Sequence, residues 1–154
     1  MRRLPGLALA LVAFAAVACT TVPGVTQGPT GPIAERAAAQ QLLWTSQGIR
    51  SYTFTIERQC FCPEEYRGPF DVTVVEGAPT LVTIGGRVAL ADRVATLPKT
   101  MEATFALVLA QAATEPGVVY DDRFGFPLRI ALDPIKNAID DEVTYLVSNF
   151  RPSP

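Results

Sequence analysis

From Tyr52 to Cys62 the chain alternates. Tyr52, Phe54, Ile56, Arg58, Cys60 and Cys62 fall on one side, and Thr53, Thr55, Glu57, Gln59 and Phe61 on the other. A period of two is the mark of a strand with one buried and one wet face. Shorter stretches repeat it. In 70–76, Phe70, Val72 and Val74 point inward against Asp71 and Thr73. In 127–133, Leu128, Ile130 and Leu132 oppose Arg129 and Asp133, and in 142–150, Val143, Tyr145 and Val147 oppose Thr144, Leu146 and Ser148. Residues 80–84 and 118–121 complete a set of six strands.

Two stretches carry a helical period instead. Residues 33–47 place Ile33, Ala37 and Trp44 on one stripe with Leu43 beside it; Pro32 suits the first turn and Gly48 the end. Residues 101–113 place Met101, Phe105, Val108, Leu109 and Ala112 on another, capped by Thr100 and stopped by Pro116-Gly117. Gly77-Ala-Pro79 reads as a turn, Gly85-Gly86 as a break, and the apolar but aperiodic 88–97 as a partly packed loop. The segment from Asp121 to Gly125 reads as a hairpin connection, with Gly125 in a backbone conformation costly for other residues.

The element order is therefore α-β-β-β-α-β-β-β. Short connections make neighbouring strands antiparallel, and one wet face per strand needs only one covered face. The expected fold is α+β: an antiparallel sheet of about six strands with two helices on one face.

Before the first helix the pattern changes. Met1-Arg-Arg is followed by an apolar run, 7–17, of about eleven residues, too short to span a bilayer and suited to a signal-peptide core. It ends Ala16-Val17-Ala18-Cys19, which resembles the bacterial lipobox, where small residues precede a cysteine that is cleaved free and lipidated. On this reading 1–18 is a signal peptide and Cys19 carries palmitate-type acyl chains. Residues 19–32 are a flexible tether, 33–150 a single α+β domain and 151–154 a disordered tail. Such a protein is exported to the cell envelope and held at a membrane by lipid. Thr20 beside the lipid cysteine favours the outer membrane or cell surface over the inner membrane.

Composition narrows the chemistry. The chain of 154 residues has no His, which removes His-based triads, His general bases and imidazole metal ligands. Without Arg2 and Arg3 the balance is 11 basic against 15 acidic residues, with no basic run, so nucleic acid is a poor partner. Ser46, Ser51, Ser148 and Ser153 lie in no nucleophile-elbow context, and no phosphate-binding glycine loop occurs. No catalytic residue, metal site or cofactor is expected. Asp121, Asp122, Asp133, Asp140, Asp141 and Glu142 could suggest calcium, but they lack EF-hand spacing and read as solvated turn acids.

Lipidation of Cys19 leaves Cys60 and Cys62 in an oxidising compartment. Residues i and i+2 of a straight strand stand roughly 6.7 Å apart, at the upper edge of disulfide reach, so a bond requires the strand to bend. The alternatives are a local disulfide, two free buried thiols, or a redox-active or metal-binding pair.

Several pieces then coincide: Trp44, Tyr52-Thr-Phe, Cys60-Phe-Cys-Pro63, Gly68-Pro, Val72-Thr-Val with Gly77, Phe105, Tyr120-Asp-Asp-Arg-Phe-Gly-Phe-Pro127, Asp140-Asp-Glu and Tyr145-Val. Over about 42–150 the chain resembles domain of unknown function 6174, a family of small bacterial lipoproteins and secreted proteins. The resemblance bears on fold and location and implies no activity. The leading expectation is a lipid-anchored, non-enzymatic envelope module, whose partner is the membrane and possibly an envelope protein. Phe124 and Phe126 are expected to cover the end of the core; the alternative is that they stand exposed and, with Tyr66, form the contact surface. The alternatives are a thiol–disulfide protein acting through Cys60 and Cys62, and a small-ligand binder with a pocket between sheet and helices.

Overall fold

The structure, a computed structural model, describes residues 29–135 and 138–153. Helix α1 spans Pro32–Ser46 and α2 spans Met101–Ala110. The strands are β1 (Tyr52–Cys60), β2 (Phe70–Val75), β3 (Ala78–Ile84), β4 (Arg87–Val88), β5 (Gly117–Tyr120), β6 (Pro127–Leu132) and β7 (Val143–Pro152). They form one sheet in the order β4-β3-β2-β1-β7-β6-β5, antiparallel throughout. The α+β class is as expected from the alternation.

Seven strands stand where about six were expected. Gly85 and Gly86 both take left-handed backbone, φ 54° and 75°, and so close a two-residue hairpin that pairs Ile84 with Arg87. A two-residue strand is too short to print a pattern. The rest of the presumed loop folds back over the sheet, burying Val94 and Leu97. The turn after β2 is Glu76-Gly77, again with both residues left-handed, so β3 begins at Ala78 rather than beyond Pro79. Helix α2 starts where Thr100 caps it, its hydroxyl accepting from the Ala103 N–H at 3.0 Å, but ends three residues earlier than expected, and a 3-10 turn at Ala112–Thr114 follows. The expected tail is also strand. Thr53 pairs with Arg151, Tyr52 with Pro152, and the Ser153 N–H donates to the Ser51 carbonyl.

Both helices pack on one face of the sheet. Tyr52, Phe54 and Ile56 of β1 meet Trp44 of α1 and Met101, Phe105 and Val108 of α2, with Phe70, Val72, Val74, Phe126 and Ile130 around them. Trp44 is 2% exposed and meets Tyr52, Phe126 and Phe150 edge-on, with ring centroids 5.4–5.9 Å apart. Its indole N–H donates to Glu102 at 2.8 Å, and the Tyr52 hydroxyl both accepts from the Met101 N–H and donates to Glu102. Core anchoring of Trp44 thus comes with a polar tie between the two helices.

One irregularity decides which residues of β7 reach this core. Between the pairs Thr55–Ser148 and Thr53–Arg151 the register slips by one, and Asn149 takes φ 52°. This bulge reverses the parity of the strand. Tyr145 and Val147 face the core before it; Phe150 faces the core after it, packed against Trp44, Tyr52, Phe124 and Phe126.

Candidate functional site

Strand β1 ends at Cys60, paired with Val143 of β7. The chain then bends at Phe61, so that Cys60 and Cys62 lie 5.3 Å apart by Cα and are joined as a disulfide. The bend is what brings the pair within reach. Pro63 leads into a 3-10 turn, Glu64–Tyr66, closed by the Tyr66 N–H to the Pro63 carbonyl and the Arg67 N–H to the Glu64 carbonyl. Arg67 then folds back: its Nε donates to the Cys62 carbonyl at 2.9 Å, and its own carbonyl accepts from the Arg58 N–H at 2.7 Å. The loop is therefore braced from both sides.

What this brace presents is Phe61, 79% exposed. It stands beside a shallow hollow of about 310 Å³ lined by Phe61, Cys62, Pro63 and Arg67. The alternation of 52–62 already put Phe61 on the wet side; the bend carries it to the end of the sheet.

The aromatics of the β5–β6 connection cover the end of the core, and the alternative of an exposed contact patch there is not what the structure places. Phe126 is 1% exposed and belongs to the core, so it offers no contact surface. Phe124 is half-buried against Phe126 and Phe150, under the Arg123 guanidinium. The reason is the hairpin. Asp121 Oδ1 accepts from the Arg123 and Phe124 N–H groups, and its carbonyl accepts from the Gly125 N–H, which rolls both rings over the end of the core. Tyr66 is half-buried, its hydroxyl near Asp92 at 3.4 Å, and it alone of the three lies in the braced loop with Phe61. Cys19 lies outside the described residues, as do 1–28 generally.

Residues 36–152 match the family of unknown function DUF6174. The chain belongs to this family. No curated protein and no solved structure shows significant similarity to it.

Two further features of the DUF6174 domain bear on its chemistry. On the uncovered face of the sheet, Asn149 donates to the Thr55 hydroxyl, which donates to Asp71 at 2.8 Å. These residues, with Thr53, Thr73 and Arg151, line an open trough of about 340 Å³. Sequence reasoning missed this chain of hydrogen bonds because Asn149 reaches Thr55 only through the bulge. On the covered face the space between helices and sheet is filled by Trp44, Tyr52, Phe54, Phe105 and Phe126. Burial raises the Tyr52 hydroxyl pKa above the usual tyrosine value, the Met101 N–H opposes this, and the Glu102 carboxylate adds to it. Burial raises Tyr120 as well, against the nearby Arg36. Among the turn acids, Asp121 holds its own hairpin and Asp141 Oδ2 accepts from the Ile135 N–H. No helix among the described residues is long and apolar enough to cross a membrane.

Proposed function

We propose that this DUF6174 domain is a lipid-anchored, non-enzymatic binding module of the bacterial envelope that engages a protein partner through the loop Cys60–Arg67. The observation that carries the reading is Phe61: a large aromatic ring, four-fifths in solvent, held on a short bonded and braced loop. A ring presented by a stiff loop loses little freedom on binding, and aromatic side chains of this kind anchor interfaces. Arg67 and Tyr66 alongside supply the residue types that accompany such an anchor. The anchor itself rests on the sequence alone, on Ala16-Val17-Ala18-Cys19 and the tether that follows.

The test is cross-linking in intact cells with wild type and Phe61→Ala. Because the side chain is exposed, the variant is expected to melt within about one degree of wild type. It is also expected to lose the cross-linked partner seen with wild type. Undiminished cross-linking by Phe61→Ala overturns the reading. Insulin reduction by the wild type that vanishes in Cys60→Ser replaces it with thiol–disulfide exchange.

A further inference from the structure

The inward face of β1 continues past Ile56 to Arg58, and Arg58 is 9% exposed. An arginine stays charged at any ordinary pH, and a charge taken out of water is retained at a cost unless something pairs with it. Arg58 has the Tyr145 ring below its guanidinium, 5.6 Å from the centroid. A ring face attracts the cation but accepts nothing from the in-plane N–H groups. Nε and Nη2 are fully shielded and have no hydrogen-bond partner among the described residues. These two nitrogens form one edge of the planar group, with parallel hydrogens spaced for two oxygens of a single anion.

Arg58 is not alone. Among the described residues, the other shielded and unpartnered side-chain atoms are Nε of Arg93 and Oδ1 of Asp141. Arg93 and Asp141 each lie within two residues of one that reaches the Cys60 end of the sheet. The Arg58 N–H donates to Arg67, the adjoining Tyr66 reaches Asp92, and Arg93 is the next residue. Asp141 stands two residues before Val143, the partner of Cys60. Asp92 is engaged by Tyr66, and the ion pair found among the described residues, Arg50–Glu76, belongs to the opposite end of β1. Buried polar groups in folded chains are nearly all satisfied, so the shielded and unpartnered Nε–Nη2 edge of Arg58 marks a place for a partner from outside the chain.

We propose that the Nε–Nη2 edge of Arg58 is an oxyanion-binding site, which receives a group with two oxygens in one plane: a carboxylate or a phosphate oxygen pair. The proposal does not rest on the Phe61 reading. The Arg58 edge is shielded from solvent, so the ligand enters by displacing part of its cover.

The test measures melting of the full chain in sodium phosphate and in sodium acetate, each against sodium chloride of equal ionic strength. Wild type, Arg58→Met and Arg58→Lys are compared. Phosphate or acetate is expected to raise the melting temperature of wild type by several degrees beyond chloride, and the more effective of the two identifies the oxyanion. Arg58→Met fills the same space without charge; it is expected to melt no lower than wild type and to lose the increment. Arg58→Lys keeps the charge without the fork and is expected to lose most of it. An increment that survives in Arg58→Met is general salt stabilisation and overturns the proposal, as does the absence of an increment from either anion. If Arg58→Met fails to fold, the wild-type arginine Nε–H resonances decide. A saturable shift of the Arg58 signal with either anion supports the site, and a linear drift or none refutes it.

Discussion

At the scale of single residues, the core is organised by Trp44 and by the glycine that lets the β5–β6 hairpin approach it. Trp44 is buried on all sides by Tyr52, Phe126 and Phe150. Trp44→Ala is expected to lower stability by ~3–5 kcal/mol in urea unfolding, as truncation of buried aromatics does. Gly125 has φ 83°, and a Cβ there would lie 2.6 Å from the Gln40 carbonyl of α1. Gly125→Val therefore meets both backbone strain and a collision with main chain, and at least about 2 kcal/mol of stability should be lost. Tyr52 gives a pH signature. Its hydroxyl keeps its proton in the folded chain above the ordinary tyrosine pKa of 10.0. The unfolded chain loses that proton first, so stability is full below pH 10 and falls as pH rises from there. Tyr120 acts in the same direction. Melting temperatures followed from pH 8 to 11 should show the decline, and Tyr52→Phe should make it shallower.

At the scale of elements, the two turns built from paired left-handed residues and the bulge in β7 set the register of the sheet. Asn149 is the residue that makes the bulge, at φ 52°. Asparagine tolerates this conformation and valine does not, so Asn149→Val is expected to cost about 1–2 kcal/mol while Asn149→Gly stays near neutral. Equal urea midpoints for the two variants would mean that the strand resets its register instead. The edges of the sheet are both short, two residues in β4 and four in β5, which limits strand addition at either side. Alternation showed the long strands clearly. It hid β4 because two residues carry no period, and it hid the inward turn of Phe150 because a bulge changes parity without leaving a mark in the pattern.

At the scale of the whole molecule, the described residues leave one sheet face open, stack both helices on the other, and place the disulfide, Phe61 and the unpartnered Arg58 at one end of β1. The anchoring proposal is tested at this scale. Cys19→Ala removes the only acylation site that the lipobox reading provides, so the protein is expected to move from the membrane fraction to the soluble one. Membrane association of the processed variant that matches wild type would defeat the lipid anchor.

The sequence by itself determined the α+β class, the six longer strands, the cap at Thr100, the family resemblance and the inward side of β1, because hydrophobic period and local turn chemistry are written residue by residue. It also placed Arg58 inside and Phe61 outside by parity. Only the tertiary structure decided which of these positions matters. Phe126 and Phe124 share a motif that reads equally as core or as contact surface, and they became core because the Asp121 hairpin rolls them against Phe150, a residue aimed there by a bulge 23 positions beyond Phe126. That Arg58 finds no partner is likewise decided by what the fold brings near it, where pairing is a matter of distance and not of order along the chain.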